Sequence, residues 1–358
     1  MSLTPRFHDL LVADVRREAA DCVSVAFAVP TELASHYAFR AGQYLTLRSW
    51  IDGEEIRRSY SICSGEMDGE LRVAIKRQEG GVFSVWAQDA LRPGLSIAVM
   101  TPTGRFGHTP VSDGRLHVAV CAGSGITPVL SIVRTVLRKE PLSKVVILYG
   151  SRSTQEILFR GALEDLKDRH IGRVSVVHVL SREAQDIDVL NGRLEQEKLL
   201  RVLPAVLGGG TIDAAYVCGP AAMIAAAETA LAAMGVAPAS VHVERFTSVL
   251  EGRPLVAAPV VVDAAPFAVA EVIADGKRNR VPVAEGEAVL DAALRAGLDL
   301  PFACKGGMCS TCRAKLVEGA VEMAVNYSLE AWELKLGFIL TCQARVTSGR
   351  VVVDFDRQ

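Results

Sequence analysis

Residues 301–313 read Pro301-Phe302-Ala303-Cys304-Lys305-Gly306-Gly307-Met308-Cys309-Ser310-Thr311-Cys312-Arg313. Cys304, Cys309 and Cys312 stand at C-x4-C-x2-C spacing, and a fourth cysteine, Cys342, follows thirty residues later. Three thiolates on one tight loop and one from a distant segment form the ligand set of a [2Fe-2S] cluster. Gly306 and Gly307 suit such a loop, because backbone wrapped around sulfide favours residues that tolerate positive φ and carry no Cβ. Its amides can also donate to the sulfurs. A zinc ribbon would use two C-x2-C pairs, and one is present. A disulfide pair belongs to secreted chains, whose features are missing here.

Composition narrows the classes. The chain has 358 residues, 50% hydrophobic and 22% charged, enough for two or three ordinary domains. A net charge of −2 leaves no nucleic-acid footprint. The start, M-S-L-T-P-R-F-H-D, lacks the apolar core of a signal peptide, and the apolar window Val256–Ala274 is broken by Pro259, Asp263 and Pro266. Cys22, Cys63, Cys121 and Cys218 are scattered, mostly in apolar runs, as buried thiols in a reducing compartment would be. The expectation is a soluble cytoplasmic protein with neither nucleic acid nor membrane as partner. Seven dispersed histidines show no metal-ligand spacing and read as core or surface residues. No G-x-S-x-G elbow of a hydrolase occurs.

Before the cysteine loop the rhythm of the chain changes twice. Residues 1–110 read as short strands, Asp21–Ala28, Gln43–Ser49, Glu55–Ser61, Leu71–Arg77 and Ser96–Met100, with one helix near Val82–Ala90. That pattern predicts an antiparallel β-barrel. Within it, Arg58-Ser59-Tyr60-Ser61 offers a cation, a flat ring and hydroxyls, while Gly80-Gly81-Val82-Phe83-Ser84 sets two glycines before a helix, where amides suit a phosphate.

Residues 111–246 alternate strands (Leu116–Cys121, Lys144–Tyr149, Val174–Leu180, Ala214–Cys218, Ser240–Glu244) with helices (Pro128–Lys139, Glu156–His170, Ala221–Met234). Alternation of this kind predicts a doubly wound parallel sheet. Ala122-Gly123-Ser124-Gly125-Ile126-Thr127-Pro128 joins the first strand to the first helix. Gly123 and Gly125 allow a tight turn and the close approach of a pyrophosphate, and Pro128 suits a first helical position. A proline stands where G-x-G-x-x-G would have its third glycine. Ser151 and Arg152 end the second strand, where such folds read the adenosine ribose, and an arginine there favours a 2′-phosphate, hence NADPH over NADH. Arg182 is a second candidate for that contact. Cys218-Gly219-Pro220 ends the fourth strand and Glu244-Arg245-Phe246 ends the region.

Residues 247–266, with three prolines, read as a linker. Residues 267–358 then show a hairpin (Phe267–Ala274, Asn279–Val283), a helix at Ala288–Ala296, the cysteine loop, a short helix at Leu329–Lys335, a strand bearing Cys342 and a closing strand at Arg350–Phe355. This is a β-grasp layout.

In that order the segments resemble the ferredoxin–NADP reductase superfamily with a plant-type ferredoxin domain at the C-terminus. The resemblance implies a multidomain chain: a flavin-binding β-barrel (1–110), a nicotinamide domain with a doubly wound parallel sheet (111–246), a linker (247–266) and a β-grasp ferredoxin domain (267–358). It implies that Arg58 meets the flavin pyrophosphate, Tyr60 stacks on the isoalloxazine and Ser61, next to Ser59, bonds near N5. Ala74, Ile75 and Lys76, with Gly81, Val82, Phe83 and Ser84, would line the remaining flavin, and Pro102–Phe106 would close the barrel. Gly123, Ser124, Gly125, Thr127, Pro128, Ser151 and Arg152 would hold NADPH. Cys218 would lie beside the nicotinamide C4, Gly219 and Pro220 would let that ring approach, and Phe246 would cover the flavin until displaced. Ser61, Cys218 and Glu244 would bound the hydride-transfer gap. FAD is expected rather than FMN.

With the ferredoxin last, the order is similar to reductase components of multicomponent oxygenases. The text C-K-G-G-M-C-S-T-C-R-A-K-L-V-E-G, with V-N-Y-S-L-E and L-T-C-Q-A-R, resembles reductase subunits of ring-1,2-phenylacetyl-CoA epoxidases. Electrons would then pass from NADPH through the flavin, the two-to-one electron converter, and the [2Fe-2S] cluster to a di-iron oxygenase component. Two other readings are an FMN- and NADH-using reductase feeding a Rieske dioxygenase, and a redox-sensing iron–sulfur protein whose nucleotide domain only binds. Glu318, Glu322, Asp354 and Asp356 against Lys305, Arg313 and Lys315 set no docking polarity.

Overall fold

The structure, a computed structural model, describes residues 5–246 and 266–357, so all but the last residue of the expected linker lies outside the described residues. The described residues divide into two compact units, one of Asp9–Ile56 with Tyr60–Phe246, the other of residues 5–8, Arg57–Ser59 and residues 266–357.

The first sheet contains β1 (Phe7–Ala19), β2 (Cys22–Ala28), β3 (Tyr44–Ile51), β4 (Glu54–Ser61), β5 (Leu71–Lys76) and β6 (Ser96–Met100), in the order β4-β3-β6-β1-β2-β5, with helix α1 (Val82–Ala90) between its last two strands. An antiparallel bridge between Ile62 and Val73 joins the end of β4 to β5 at the opposite edge and closes the expected barrel. Strand β1 is not evident in the sequence, because its D-V-R-R-E tail has the composition of a solvated loop. Its charges find cross-strand partners instead: Asp14 pairs with buried Arg72, and Glu18 accepts a 2.6 Å hydrogen bond from Ser24.

The second sheet is parallel and contains β7 (Leu116–Ala122), β8 (Lys144–Ser151), β9 (Val174–Leu180), β10 (Ala214–Gly219) and β11 (Val241–Arg245), in the order β11-β10-β7-β8-β9. Helices α2 (Ile126–Lys139) and α3 (Arg160–Arg169) pack in one hydrophobic cluster, and α4 (Gln196–Leu207) and α5 (Ala221–Ala233) in another. The helix expected from Glu156 begins at Arg160, because Phe159 takes a left-handed φ of 56° and interrupts it. Helix α4 is hidden in the sequence by Pro204, which normally breaks a helix and here sits near its C-terminal end.

The third sheet comprises β12 (Ala268–Ala274), β13 (Lys277–Val283), β14 (Arg313–Glu318), β16 (Phe338–Leu340) and β18 (Arg350–Asp354), ordered β13-β12-β18-β14-β16; β15 (Val321–Met323) pairs separately with β17 (Ala344–Val346), and the helices are α6 (Val289–Arg295) and α7 (Ala331–Lys335). β12 and β18 are parallel and the other pairings antiparallel, as a β-grasp fold requires. Cys342 lies in the turn between β16 and β17 rather than on a strand.

One polar knot sits inside the larger unit. The buried Glu140 carboxylate accepts hydrogen bonds from His108 Nε2, from His117 Nε2 at 3.0 Å, from Ser143 Oγ at 2.6 Å and from the Val111 amide at 3.2 Å. His108 Nδ1 meets the Tyr216 hydroxyl at 2.7 Å. Two of the seven histidines that look dispersed in sequence are thus gathered in the core. Burial pushes the Glu140 carboxyl up, but the bonds from Ser143, His108, His117 and Val111 outweigh it and hold the group at about 2. A carboxyl held low stabilises the fold above its ordinary range, and that contribution is lost as pH falls. Glu140→Ala, which strands two imidazoles and a hydroxyl, is expected to cost about 3 kcal/mol at neutral pH in urea unfolding. The wild type should lose this increment between pH 4.5 and about 2, and the variant should not.

Candidate functional site

The order of strands reverses at β7, so the C-terminal ends of β7 and β10 open the crevice where doubly wound sheets bind ligands. Gly123 has a φ of 55° with open space where a Cβ would stand. A Thr127 Oγ1 bond to the Ser124 carbonyl, 2.9 Å, closes the turn. Pro128 is the third residue of α2 rather than the first, still a position whose N–H has no helical acceptor. A Cβ on Gly125 would lie 2.1 Å from the Cys218 carbonyl oxygen. The neighbouring strand thus requires a glycine there by itself, a demand separate from the expected approach of a pyrophosphate. At Gly219 a Cβ would meet Met223 Cε at 2.7 Å, and Pro220 caps α5. Tyr149, which sequence reading passed over as an apolar strand residue, holds the loop through its hydroxyl, 3.0 Å from the Gly123 carbonyl.

The register places Cys218 opposite Glu244 on β11 and opposite Cys121 on β7. Burial pushes the Cys218 thiol well up, and the nearby Glu244 charge adds to it. Glu244 is half-buried as a residue, but its carboxyl is the enclosed part, and burial alone pushes it up to about 7. Phe246 packs on the hydrophobic cluster that contains Cys218, Cys63, Cys22 and Ala74, so nicotinamide-side and flavin-side candidates share one core.

On the flavin side, Arg58, Ser59, Tyr60 and Ser61 are consecutive on β4. Ser61 is buried; Tyr60 is half-buried, with its ring 5.8 Å from that of Phe83. Arg58 donates to the Arg57 carbonyl at 2.8 Å. Ala74 and Ile75 are buried on β5, and Lys76 lies 3.4 Å from Asp21. Phe83 and Ile75 are wholly in the barrel core, which leaves their backbone as the part able to line a ligand. Gly81 precedes α1, where a Cβ would come within 2.7 Å of Ser84 Oγ, and that hydroxyl accepts from the Gln78 amide at 3.0 Å. No side-chain cap occupies the amides at this helix start, the arrangement that suits a phosphate.

Ser151 is buried at the end of β8, its hydroxyl near Tyr149 without hydrogen-bond geometry. Arg152 is exposed, with Nη1 3.8 Å from Glu156, and its carbonyl accepts the Arg182 amide at 2.7 Å. Both candidate arginines therefore sit just beyond the C-terminal ends of the neighbouring strands β8 and β9.

The cysteine loop is shaped for sulfur ligation. Lys305 and Ser310, each following a cysteine, take left-handed φ values of 51° and 52° and turn the backbone inward. The Gly306 and Met308 amides donate to Cys304 Sγ at 3.3 and 3.5 Å, and the Cys304 amide to Cys309 Sγ at 3.5 Å. Gly307, with a φ of 75°, would press a Cβ to 3.0 Å from Val325, whereas Gly306 has a nearest neighbour at 3.7 Å and no positive φ, so steric need rests on Gly307 alone. Thr341 clamps the Cys312 carbonyl through its hydroxyl at 2.8 Å, and Gln343 donates to Cys342 Sγ at 3.5 Å and to the Lys305 carbonyl at 2.8 Å. The hydrogen bond with Cys309, with the Gly306 and Met308 amides, lowers Cys304 to about 6 against the opposing effect of burial. Four free cysteines, two of them buried, with amides aimed at sulfur, fit a [2Fe-2S] cluster. Among the described residues no helix is long and apolar enough to cross a membrane.

Comparison with known proteins agrees with this geometry. Family profiles match for the oxidoreductase FAD-binding domain over residues 9–108, the oxidoreductase NAD-binding domain over 119–229 and the 2Fe-2S iron-sulfur cluster binding domain over 272–347. The chain is 45% identical to one of the subunits of 1,2-phenylacetyl-CoA epoxidase from Escherichia coli over 98% of both chains. It is 34% identical to the ferredoxin reductase component of 3-ketosteroid-9-alpha-monooxygenase of Rhodococcus rhodochrous over 97% of this chain and 96% of the relative. The crystal structure of phthalate dioxygenase reductase has the same fold, with a TM-score of 0.57 and 22% identity over 97% of this chain and 98% of that one.

The enclosure of Glu244 has a kinetic signature. The rate at which NAD(P)H reduces bound flavin is expected to titrate near pH 7 in the wild type and to lose that inflection in Glu244→Gln. Stopped-flow absorbance across pH checks it, and an unchanged inflection would assign the titration to another group.

Proposed function

The chain belongs to the flavin- and [2Fe-2S]-containing reductase components of multicomponent oxygenases, and from that membership we propose that it draws electrons from NADPH and delivers them to the di-iron oxygenase of a phenylacetyl-CoA epoxidase. It is an oxidoreductase in which electrons pass from a pyridine nucleotide by way of flavin to [2Fe-2S]. The observation that carries the choice of acceptor is the 45% identity to the epoxidase relative across nearly the whole length of both chains. Relatives that serve other oxygenases match at 36%, 34% and 30%.

When bound, FAD and the cluster would supply the redox chemistry, the flavin able to exchange electrons in pairs or singly and the cluster only singly. The residues contribute position and charge. In this reading Arg58, Ser59 and the amides at Gly81–Ser84 hold the flavin phosphates, with Ala74–Lys76 along its edge, while Tyr60, braced by Phe83, supports the ring and Ser61 offers its hydroxyl. The Gly123–Pro128 turn and Gly219-Pro220 seat the nucleotide, Ser151 and Arg152 take its 2′-phosphate, and Phe246 guards the flavin face. Cys218 stays a neutral thiol, and the Glu244 carboxyl keeps or releases its proton near neutral pH. Cys304, Cys309, Cys312 and Cys342 hold the cluster. We take the modules as residues 1–110, 111–246 and 267–358. A cytoplasmic location suits eight cysteines that are all free.

Arg152→Ala is expected to raise KM for NADPH about ten- to hundred-fold, the worth of one charge-assisted phosphate contact, and KM for NADH little. Equal effects on both nucleotides would remove Arg152 from the site. The reading as a whole is tested by anaerobic titration with NADPH and with NADH, following flavin by absorbance and the cluster by EPR. Flavin bleaching with a rhombic reduced-cluster signal, faster with NADPH, is the expected result. Cys309→Ser should abolish the EPR signal and leave flavin bleaching intact; loss of both would refute the modular scheme.

A further inference from the structure

The segment 327–336 of the C-terminal unit exposes four large apolar side chains: Tyr327 (53%), Trp332 (48%), Leu334 (42%) and Leu336 (52%). Surface residues of a stable small fold are free to be polar, and a concentration of this kind marks a contact surface. The segment is held firmly. Helix α7 buries only Glu333, whose carboxylate lies 2.9 Å from Nε of the buried Arg313, and a capping box between Glu330 and Glu333 fixes its start. Gly337, at a φ of 77°, then turns the chain so that the Phe338 ring lies 3.4 Å from the Arg313 guanidinium. At the other end the Tyr327 amide and Ser328 Oγ both donate to the Gly307 carbonyl, at 3.1 and 3.2 Å. The apolar face is therefore tied twice to the cysteine loop, at Gly307 and at Arg313, the residue after Cys312.

Charge near the patch is balanced. Glu330 and Lys335 offer one of each sign, and Lys305 is paired with Asp291 at 2.9 Å. These residues make no field of one sign to select a partner, so recognition must rest on apolar burial.

We propose that the exposed face of α7, with Tyr327, is the docking surface for the oxygenase component that accepts the electrons, and that the partner's matching surface is apolar. This rests on the acceptor reading above. The partner is the oxygenase because the patch borders the loop from which electrons must leave, and Trp, Tyr and Leu at a rigid site provide the anchor an interface is built around.

The test uses the full holoenzyme, with the purified oxygenase component of a phenylacetyl-CoA epoxidase as acceptor and ferricyanide as a small acceptor that needs no docking surface. Trp332→Ala and Leu336→Ser are expected to raise KM for the oxygenase roughly tenfold or more. They should leave ferricyanide turnover, cluster absorbance and the rate of cluster reduction by NADPH unchanged. Ile171→Ala, an exposed apolar residue of the other unit, serves as the control. Wild-type KM should vary little up to about 0.3 M NaCl. An unaltered KM in both variants, or a steep salt dependence, overturns the docking surface. Slower cluster reduction would make the patch an internal contact, and a change of sedimentation from dimer to monomer would make it a self-association face; either result overturns the proposal. If the wild type fails to reduce the oxygenase at all, the acceptor reading falls and the docking surface with it.

Discussion

At Gly125 the backbone of the nucleotide loop rests on the backbone of a neighbouring strand, with no room for a single extra carbon. A Cβ there would stand 2.1 Å from the Cys218 carbonyl oxygen. Because that contact fixes the turn after β7 against the end of β10, it also fixes what the two strands carry. Cys218 is locked in register with Glu244, and Gly219 is pressed toward Ala122 and Met223. The Tyr149 hydroxyl, reaching from β8 to the Gly123 carbonyl, holds the same turn from its other side. The crevice is thus walled by backbone contacts and a buried phenol that fix the turn after β7 from both sides.

Helix α2 extends this order into the barrel. Its residues Ile126, Val129 and Val133 share one hydrophobic cluster with Cys22, Cys63, Ala74 and Phe106. Polar ties reinforce the join: Ser131 Oγ donates to the Ser64 carbonyl at 2.6 Å, Thr135 accepts from the Glu66 amide at 3.1 Å, and Arg134 pairs with Asp68 at 2.9 Å. Hydride transfer needs reacting atoms near van der Waals contact, and a small misplacement costs rate steeply. A common core is the economical way to hold two binding sites to that tolerance. The cysteine loop, by contrast, has its own core in the other unit, where Cys312 and Cys342 are packed with Leu329, Leu340 and Ala344.

Legibility in the sequence follows the range of the interactions. The iron–sulfur domain could be read because ligation demands particular atoms, three of them here at short spacing on one loop. The alternation that gave the parallel sheet is equally local. Strand β1 could not be read, because its charges are satisfied by Arg72 and Ser24, which lie on other strands and become partners only once the barrel exists. The same holds for His108, His117, Glu140 and Tyr216, which share one hydrogen-bonded knot although no spacing links them. Gly125 was legible as a glycine that mattered, but the steric demand from Cys218 could not be read, since it exists only once the strands are paired.

Glu244 and Cys218 show what the packing does to chemistry at the crevice. Both sit opposite one another on adjacent strands, and burial raises both. For the thiol the result is a neutral group, which suits the place proposed for it beside the nicotinamide. For the carboxyl the result is a value of about 7, where the charged and neutral forms are nearly equal in free energy. A group so poised changes its charge at little cost. In the role proposed for Glu244, such a group can hold or release a proton as the charge beside it changes. The same burial that makes the Glu244 carboxyl expensive to ionise therefore leaves its proton responsive to charge placed nearby.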